Sequence, residues 1–145
     1  MKSPTVFEAS FNRPEIFYEV RHKELISNVH NDMVAFLNEL KDQCGVIYCH
    51  SRTEVEQVAK DLEEDKFSVK AYHAGMKEDL KKTILNDWSS GKVKIIVATI
   101  AFGMGIDKKD VRFVIHFTLP KSLEGFFQES GRAGRDGKNS VSLLY

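Results

Sequence analysis

Val93-Lys94-Ile95-Ile96-Val97-Ala98 is the stretch that decides the fold of this 145-residue chain. It is a strongly apolar run of strand length, and a glycine-bearing loop over residues 99–109 follows it. A strand with so few polar positions is typical of a sheet that is covered on both faces. We therefore predict a β-strand over residues 93–98 within an α/β fold.

Helical and strand-like segments alternate on both sides of this strand. Leu80, Ile84 and Trp88 predict one face of the helix before it. The other predicted strands are residues 16–20, 45–49, 69–72, 111–117 and 141–145, and the other predicted helices are residues 29–41, 122–131 and a helix that Ser51 opens. This order predicts one doubly wound α/β domain over residues 15–145, with a mainly parallel sheet and helices on both faces. Residues 1–14 are predicted to be a lead-in segment.

The composition is typical of a globular protein, and any nucleic-acid partner would have to be bound by a local patch of its surface. Hydrophobic residues make up 42% and charged residues 29% of the chain. Lys plus Arg and Asp plus Glu each number 21, so no overall basic field attracts nucleic acid. No apolar run is long enough for a membrane span, so we expect no membrane partner and an intracellular protein. Cys44 and Cys49 are predicted to be buried and reduced, and no metal site is predicted.

Four polar segments follow predicted strands. They are residues 50–52, 73–75, 99–107 and 118–122. Ligands of open parallel sheets bind beyond the carboxyl ends of the strands. Because these segments are rich in hydroxyl groups, glycine and basic side chains, they predict a polar recognition surface at one edge of the sheet.

Most of the candidate residues at these strand ends also have a simpler interpretation. Ser51 and Glu54 form a capping-box pattern, so Ser51 can be only a helix cap beside a solvated Arg52. We interpret His73 as a structural hydrogen-bonding residue. A solvated lysine at a helix start is the simpler interpretation of Lys121. On these residues alone we prefer each of these simpler interpretations.

The loop over residues 99–107 leaves two interpretations open. Its glycines allow close backbone approach, and Asp107 could accept a hydrogen bond from a ribose hydroxyl or orient an arginine. Alternatively, Phe102 and Met104 pack into the core of an ordinary crossover loop. It is not a dinucleotide-binding fingerprint, because Lys108 stands where a third glycine is required.

Gln128-Glu129-Ser130-Gly131-Arg132-Ala133-Gly134-Arg135-Asp136-Gly137 carries two arginines among small residues. Guanidinium groups in such a setting suit phosphate, although a glycine-rich surface turn with two solvated arginines has the same composition. The sequence lacks both the Gly-x-x-x-x-Gly-Lys-Ser/Thr loop that cradles a triphosphate and an acidic pair that would hold magnesium. Arginines without a cradle indicate half of a composite nucleotide site.

These motifs together resemble the second, C-terminal RecA-like lobe of RecQ-family superfamily-2 DNA helicases. The match runs from about residue 11 to residue 145. Residues 45–56 resemble motif IV, residues 71–76 the Tyr-His-Ala-Gly signature, residues 97–117 motif V and residues 128–137 motif VI. His50 and Lys109 stand where Leu and Pro are frequent, and the two lysines after Asp107 resemble the RecQ-five-like branch.

The resemblance implies a role for each matching position. Arg132 and Arg135 would face ATP, which with Mg²⁺ is held mainly by an N-terminal lobe of the same polypeptide, and Arg135 would be the arginine finger. Gln128, Asp107 and Gly105 would couple this site to DNA. The positions that would contact the DNA backbone are Ser51, Arg52, Thr99, Lys121, Ser122 and, as a weaker candidate, Lys81.

The resemblance also implies an activity and a cellular location. The chain would be a motor lobe of an ATP-dependent 3′-to-5′ helicase that acts in DNA repair and recombination and is inactive alone. It would lie in the nucleus of a eukaryote or the cytoplasm of a bacterium. The alternative is a non-catalytic module that binds single-stranded nucleic acid or a protein through its polar sheet edge.

Overall fold

The computed structural model describes residues 5–7, 14–40, 42–99, 108–120 and 122–145, and their side chains from residue 14 onward. Its strands are β1 (Thr5–Phe7), β2 (Ile16–Val20), β3 (Cys44–Cys49), β4 (Val69–Tyr72), β5 (Ile95–Thr99), β6 (Val111–His116) and β7 (Ser140–Leu144). They form one sheet in the order β1-β2-β7-β6-β3-β5-β4. Only the β1–β2 pair is antiparallel among these described strands. The predicted mainly parallel α/β fold is confirmed.

The helices lie between the parallel strands, as right-handed crossovers require. They are α1 (Val29–Glu39), α2 (Arg52–Glu64), α3 (Glu78–Ser89) and α4 (Leu123–Ser130), and a single 3-10 turn covers Lys23–Leu25. Three of the four begin at a side-chain cap, because the oxygens of Asn28, Ser51 and Ser122 each accept a hydrogen bond from a backbone amide of the first turn. These caps fix where each strand-end loop gives way to its helix.

Each face of the sheet carries its own core. On one face α1 and α2 pack on the inward side chains of β3, β5 and β6, including Ile47, Val97 and Ile115. On the other face α3 packs through Ile84 and Trp88 on the alternate residues of the same strands. Because both faces of the central strands are covered, β3 is buried over its whole length. The α4 helix covers the part of this second face near β2.

The predicted apolar face of α3 is partly wrong, and the start of α4 also exposes an apolar residue. Leu80 is 48% exposed on α3, and Leu123 is 68% exposed at the start of α4. The buried side of α4 instead runs through Phe126, Glu129 and Ser130. Polar residues can occupy that side because each finds a partner in the sheet, as the next subsection describes. The predicted lead-in also contains β1, a strand that its sequence pattern did not indicate.

The two cysteines are buried and free of disulfide bonds, as predicted. Burial raises the pKa of the Cys49 thiol to about 12, so this group stays protonated at neutral pH. Among the described helices, none is long and apolar enough to cross a lipid bilayer.

Gly45 lies where β3 passes over the ring of Phe113 on β6. A Cβ atom at position 45 would stand 2.2 Å from a carbon of that buried ring. We predict that Gly45→Ala lowers the stability of the domain by about 1–3 kcal/mol, because the new methyl group would force the buried Phe113 ring to shift. The melting temperature measured by circular dichroism should therefore fall by several degrees, at roughly 3 °C per kcal/mol.

The double variant Gly45→Ala with Phe113→Leu is the control for this prediction. It should lose less stability than the sum of the two single variants, because the smaller side chain leaves room for the new methyl group. Additive losses would show that the ring contact is not what limits position 45.

Candidate functional site

Four parallel strands end side by side at one edge of the sheet. In register, Cys49 of β3 pairs with Thr99 of β5, and Tyr48 pairs with His116 of β6. β4 ends beside β5, where Tyr72 pairs with Ala98. The strand-end edge is the name used here for residues 50–52, 73–75, 99 and 118–120. The prediction that these polar segments share an edge is therefore confirmed for the residues that the structure describes.

Glu54 joins two of these loops. The Ser51 hydroxyl oxygen accepts a hydrogen bond from the Glu54 amide at 3.2 Å, which confirms half of the capping-box prediction. The Glu54 carboxylate accepts from the backbone amide of His50, at 2.9 Å, rather than from that of Ser51. The same carboxylate accepts from the Thr118 hydroxyl at 2.9 Å. Glu54 thus fixes the loop after β3 against the loop after β6.

His73 is a structural residue, as the sequence predicts. Its Nδ1 accepts a hydrogen bond from the Gly75 amide at 3.1 Å, so the ring carries its proton on Nε2. That nitrogen lies 3.0 Å from Glu56 Oε1 on α2, and the side chain is 7% exposed. The exposed Arg52 lies beside this turn, with its Nη1 at 3.1 Å from where a Cβ on Gly75 would stand.

The other predicted DNA contacts differ in their surroundings. Thr99 lies half-buried at the end of β5, next to the loop that carries Ser51. Ser122 caps α4 and accepts from the Gly125 amide at 3.0 Å. Lys81 lies on α3 rather than on a strand end, with its Nζ at 2.8 Å from Glu78 Oε1. The hydrogen bond to Glu78 raises the pKa of Lys81, so a phosphate group would have to compete with this carboxylate.

The loop that carries the two arginines attaches to the opposite end of β6. The arginine loop, residues 131–139, follows α4, and its Gly134 amide donates to the Val111 carbonyl at 2.9 Å. Val111 is the first residue of the 6-residue strand β6, so this contact lies roughly 16 Å from the strand's carboxyl end at about 3.3 Å per residue. The two candidate regions therefore occupy opposite edges of the sheet, which suits two ligands or two parts of one large ligand.

Arg132 and Arg135 have different surroundings. Arg135 is exposed, whereas Arg132 is half-buried between α4 and the sheet. Arg132 forms a side-chain hydrogen bond with Tyr48, and burial raises the pKa of that phenol although the guanidinium opposes the shift. Arg132 Nε is buried, and no hydrogen-bond partner for it lies among the described residues. The buried residue Ala133 separates the two arginines and anchors the loop in the second core.

A buried polar layer holds α4 on the sheet. His116 Nε2 lies 2.9 Å from Glu129 Oε1, and both side chains are within 9% exposure. The His116 ring stacks on Tyr48 with centroids 5.2 Å apart and contacts Phe126 at 5.0 Å. At the next residue of α4, the Ser130 hydroxyl lies 2.7 Å from that of Ser142. This layer fixes the position of Arg132, which follows directly in the chain.

The sequence did not identify Tyr48, Thr118 or Glu129 as site residues. Thr118 stands within a predicted strand-end segment, so the sequence indicated where it lies. The sequence did not indicate that Thr118 bonds to Glu54. Gln128 is exposed on α4, whereas Gly105, Asp107 and Lys121 lie outside the described residues. Within the ranges that the structure describes, no group of three or more His, Cys, Asp or Glu side chains could hold a metal ion.

The chain is similar to helicases in sequence. Residues 27–137 match the family described as Helicase conserved C-terminal domain. The chain is 49% identical over 148 residues to the ATP-dependent DNA helicase hus2/rqh1 of Schizosaccharomyces pombe, covering 100% of this chain and 11% of that protein. It is 48% identical over 143 residues to the ATP-dependent DNA helicase Q1 of Pongo abelii, covering 96% and 22% respectively. It therefore spans less than a quarter of either relative.

A solved structure shares the fold. The chain resembles the Mycobacterium smegmatis helicase Lhr, solved bound to ssDNA and AMP-PNP, with a TM-score of 0.72. The two sequences are 24% identical, and the match covers 82% of this chain and 17% of the Lhr chain. At that identity the likeness supports the RecA-like lobe architecture alone. Relatives named Q1 and Q5 both match, so the RecQ-five-like branch stays a prediction.

Proposed function

The chain belongs to the helicase conserved C-terminal domain family, with RecQ-family relatives, and we propose that it is the C-terminal motor lobe of an ATP-dependent 3′-to-5′ DNA helicase. The observation that carries the proposal is the arginine loop, which presents an exposed Arg135 at one edge of the sheet while the DNA candidates lie at the other. A motor needs both surfaces on one rigid lobe. The polarity rests on the family resemblance.

The residues of the arginine loop fit half of an ATP site. Arg135 supplies an exposed positive charge, and the nearby Arg132 has a buried nitrogen without a partner among the described residues. The sequence has no phosphate-cradling loop, so the triphosphate and Mg²⁺ would be held by an N-terminal lobe of the same polypeptide. Arg135 would then neutralise charge on the γ-phosphate in the transition state, with Gln128, Gly105 and Asp107 coupling the site to DNA.

The strand-end edge would follow the backbone of one DNA strand. Ser51, Arg52, Thr99 and Ser122 offer hydroxyl and guanidinium donors there, with Lys121 and Lys81 as further candidates. Phosphate contacts of this kind do not depend on base sequence, as translocation requires. Closing of the two lobes on ATP and their opening after hydrolysis would move the strand stepwise. A protein of this function would act in DNA repair and recombination, in the nucleus of a eukaryote or the cytoplasm of a bacterium.

A second candidate is a non-catalytic module that binds single-stranded nucleic acid. The polar strand-end edge favours it as well, because that edge could bind a strand without any motor. The equal numbers of acidic and basic residues, 21 each, argue for weak binding by the isolated chain. Affinity of the chain alone therefore distinguishes the two candidates.

We predict that the isolated chain binds a fluorescent single-stranded oligonucleotide only weakly, with an affinity that falls as salt rises. Arg52→Gln should weaken this binding for every sequence tested, because Arg52 is exposed beside the Gly75 turn and would contact phosphate. Loss of one contact should reduce the slope of log affinity against log salt by about 0.7. Fluorescence anisotropy measured from about 50 mM to about 200 mM salt gives both quantities.

Lys60→Gln is the matched control for Arg52→Gln. Lys60 is an exposed cation on the same helix, about 12 Å further along α2 at roughly 1.5 Å per residue, so its loss should leave the salt slope unchanged. Submicromolar binding by the isolated chain would favour the binding module instead. An unchanged slope in Arg52→Gln would remove Arg52 from the DNA surface.

A further inference from the structure

Arg112, near the start of β6, holds the arginine loop through two of its three guanidinium nitrogens. Its Nε donates to the Asp110 carbonyl at 3.3 Å and its Nη1 to the Asn139 carbonyl at 3.1 Å. Its Nη2 donates to the Asp136 carboxylate. The Arg112 side chain is 14% exposed and that of Asp136 is 24% exposed, so the pair lies at the surface of the domain. Arg112 thus contacts the arginine loop at two points, on either side of its Gly137-Lys138 turn.

Backbone bonds fix the same loop around Arg135. The Gly134 amide donates to the Val111 carbonyl at 2.9 Å, and the Asp136 amide donates to the Lys109 carbonyl at 3.1 Å. Gly134 has a φ of 66°, where a side chain would be strained and crowded by Ser140 Oγ. The residues before and after Arg135 are therefore both bonded to the segment at the start of β6. Arg112 reinforces the attachment at Asp136, the residue after Arg135.

The negative charge of Asp136 strengthens its hydrogen bond with Arg112. The hydrogen bond from Arg112 is the main cause that holds the pKa of Asp136 below its usual range, so the carboxylate is ionised at neutral pH. Asp136 also accepts from the Lys138 amide at 3.1 Å. The hydrogen bonds from Arg112 and from the Lys138 amide thus hold the residue that directly follows Arg135 in the chain.

We propose that Arg112 is a positioning residue that fixes Arg135 through Asp136 and Asn139. It also connects the arginine loop to residues 108–111, the segment that follows the loop over residues 99–107. Arg112 touches neither nucleotide nor DNA in this arrangement, and its effect on hydrolysis passes through the arginine loop. The inference rests on the proposed function, because it takes Arg135 as the residue that contacts ATP.

The test uses the polypeptide that carries this chain together with its ATP-binding lobe. Arg112→Gln is expected to lower the kcat of DNA-stimulated ATP hydrolysis on the order of 10- to 100-fold, the loss that a displacement of about 1 Å causes. The KM for ATP, the affinity for single-stranded DNA and the melting temperature should stay near those of the parent. Lys92→Gln, which removes an exposed cation elsewhere, should leave all four quantities unchanged.

Two further variants separate positioning from a general structural role. Asp136→Asn keeps the shape of the side chain and should also lower kcat. This variant tests the inference even if Arg112→Gln fails to fold. The double variant should lose no more kcat than Arg112→Gln alone, because both changes break one contact. Additive losses, a normal kcat in Asp136→Asn, or losses confined to the melting temperature would each overturn the inference.

Arg135→Ala separates this inference from the proposed function. If Arg135→Ala leaves ATP hydrolysis normal, the part of the proposed function that assigns Arg135 to ATP fails, whatever Arg112 does. If Arg135→Ala abolishes hydrolysis while Arg112→Gln hydrolyses normally, only the positioning role fails.

Discussion

Arg135→Ala is expected to reduce DNA-stimulated ATP hydrolysis on the order of 10³-fold or more in a polypeptide that contains this chain and its ATP-binding lobe, as removal of an arginine finger does in other phosphoryl-transfer sites. The reason is electrostatic: the transition state gains charge on the γ-phosphate oxygens, and the exposed guanidinium of Arg135 would neutralise it. The measurement is the steady-state rate of phosphate release at saturating ATP and single-stranded DNA.

DNA affinity should survive this substitution. The arginine loop bonds to Lys109 and Val111, before and at the start of β6, whereas the DNA candidates Ser51, Arg52 and Thr99 lie where the strands end. Lys138→Gln is the matched control, because it removes an exposed cation from the same loop and should leave hydrolysis near the parent rate. Near-normal hydrolysis by Arg135→Ala would remove Arg135 from the role, and a parallel loss of DNA affinity would place it in the DNA surface instead.

The sequence predicted the sheet and the edge at which its polar loops meet. Runs such as residues 93–98 can be recognised because strands buried on both faces are apolar almost throughout. The position of the strand-end edge follows from topology, since parallel strands must all end on the same side. Ser51 and Ser122 were located within one residue of the helix starts that the structure shows, because a cap is a local hydrogen bond between residues three apart.

The contacts that hold the arginines could not be predicted in this way. Arg112 and Asp136 are 24 residues apart, and Glu54 and Thr118 are 64 apart. Whether such pairs form depends on the register between strands and on the orientation of α4 on the sheet. Glu129 looks like an exposed helix residue in the sequence, and only the position of His116 beneath it explains its burial.

Without the family resemblance, the sequence pattern alone does not distinguish Arg132 from Arg135, and the fold separates them. Arg132 follows directly from α4 and stays packed against Tyr48. Gly134 then takes a positive φ, after which the chain reaches the exposed Arg135. This difference favours Arg135 as the residue that contacts the nucleotide and Arg132 as one that is held in place.

Loss of the ATP-binding lobe is expected to reduce ATP hydrolysis at least as much as loss of the Arg135 side chain does. The isolated chain should hydrolyse ATP at a rate indistinguishable from buffer, with or without single-stranded DNA, because its sequence has neither a phosphate-cradling loop nor an acidic pair for magnesium. The polypeptide that adds the upstream lobe, roughly 200 residues or fewer for a domain of ordinary size, should hydrolyse ATP in a DNA-dependent manner. Phosphate release from both proteins at equal concentration is the measurement.

The same pair of proteins tests the direction of movement. The two-lobe polypeptide should unwind a duplex with a 3′ single-stranded tail and leave a duplex with a 5′ tail intact, whereas the isolated chain should unwind neither. The Arg135→Ala form of the two-lobe polypeptide is the control, because it keeps both lobes and removes only the charge that the second lobe contributes. Robust hydrolysis by the isolated chain would contradict the half-site interpretation, since arginines without a phosphate cradle have no means of holding the triphosphate for attack.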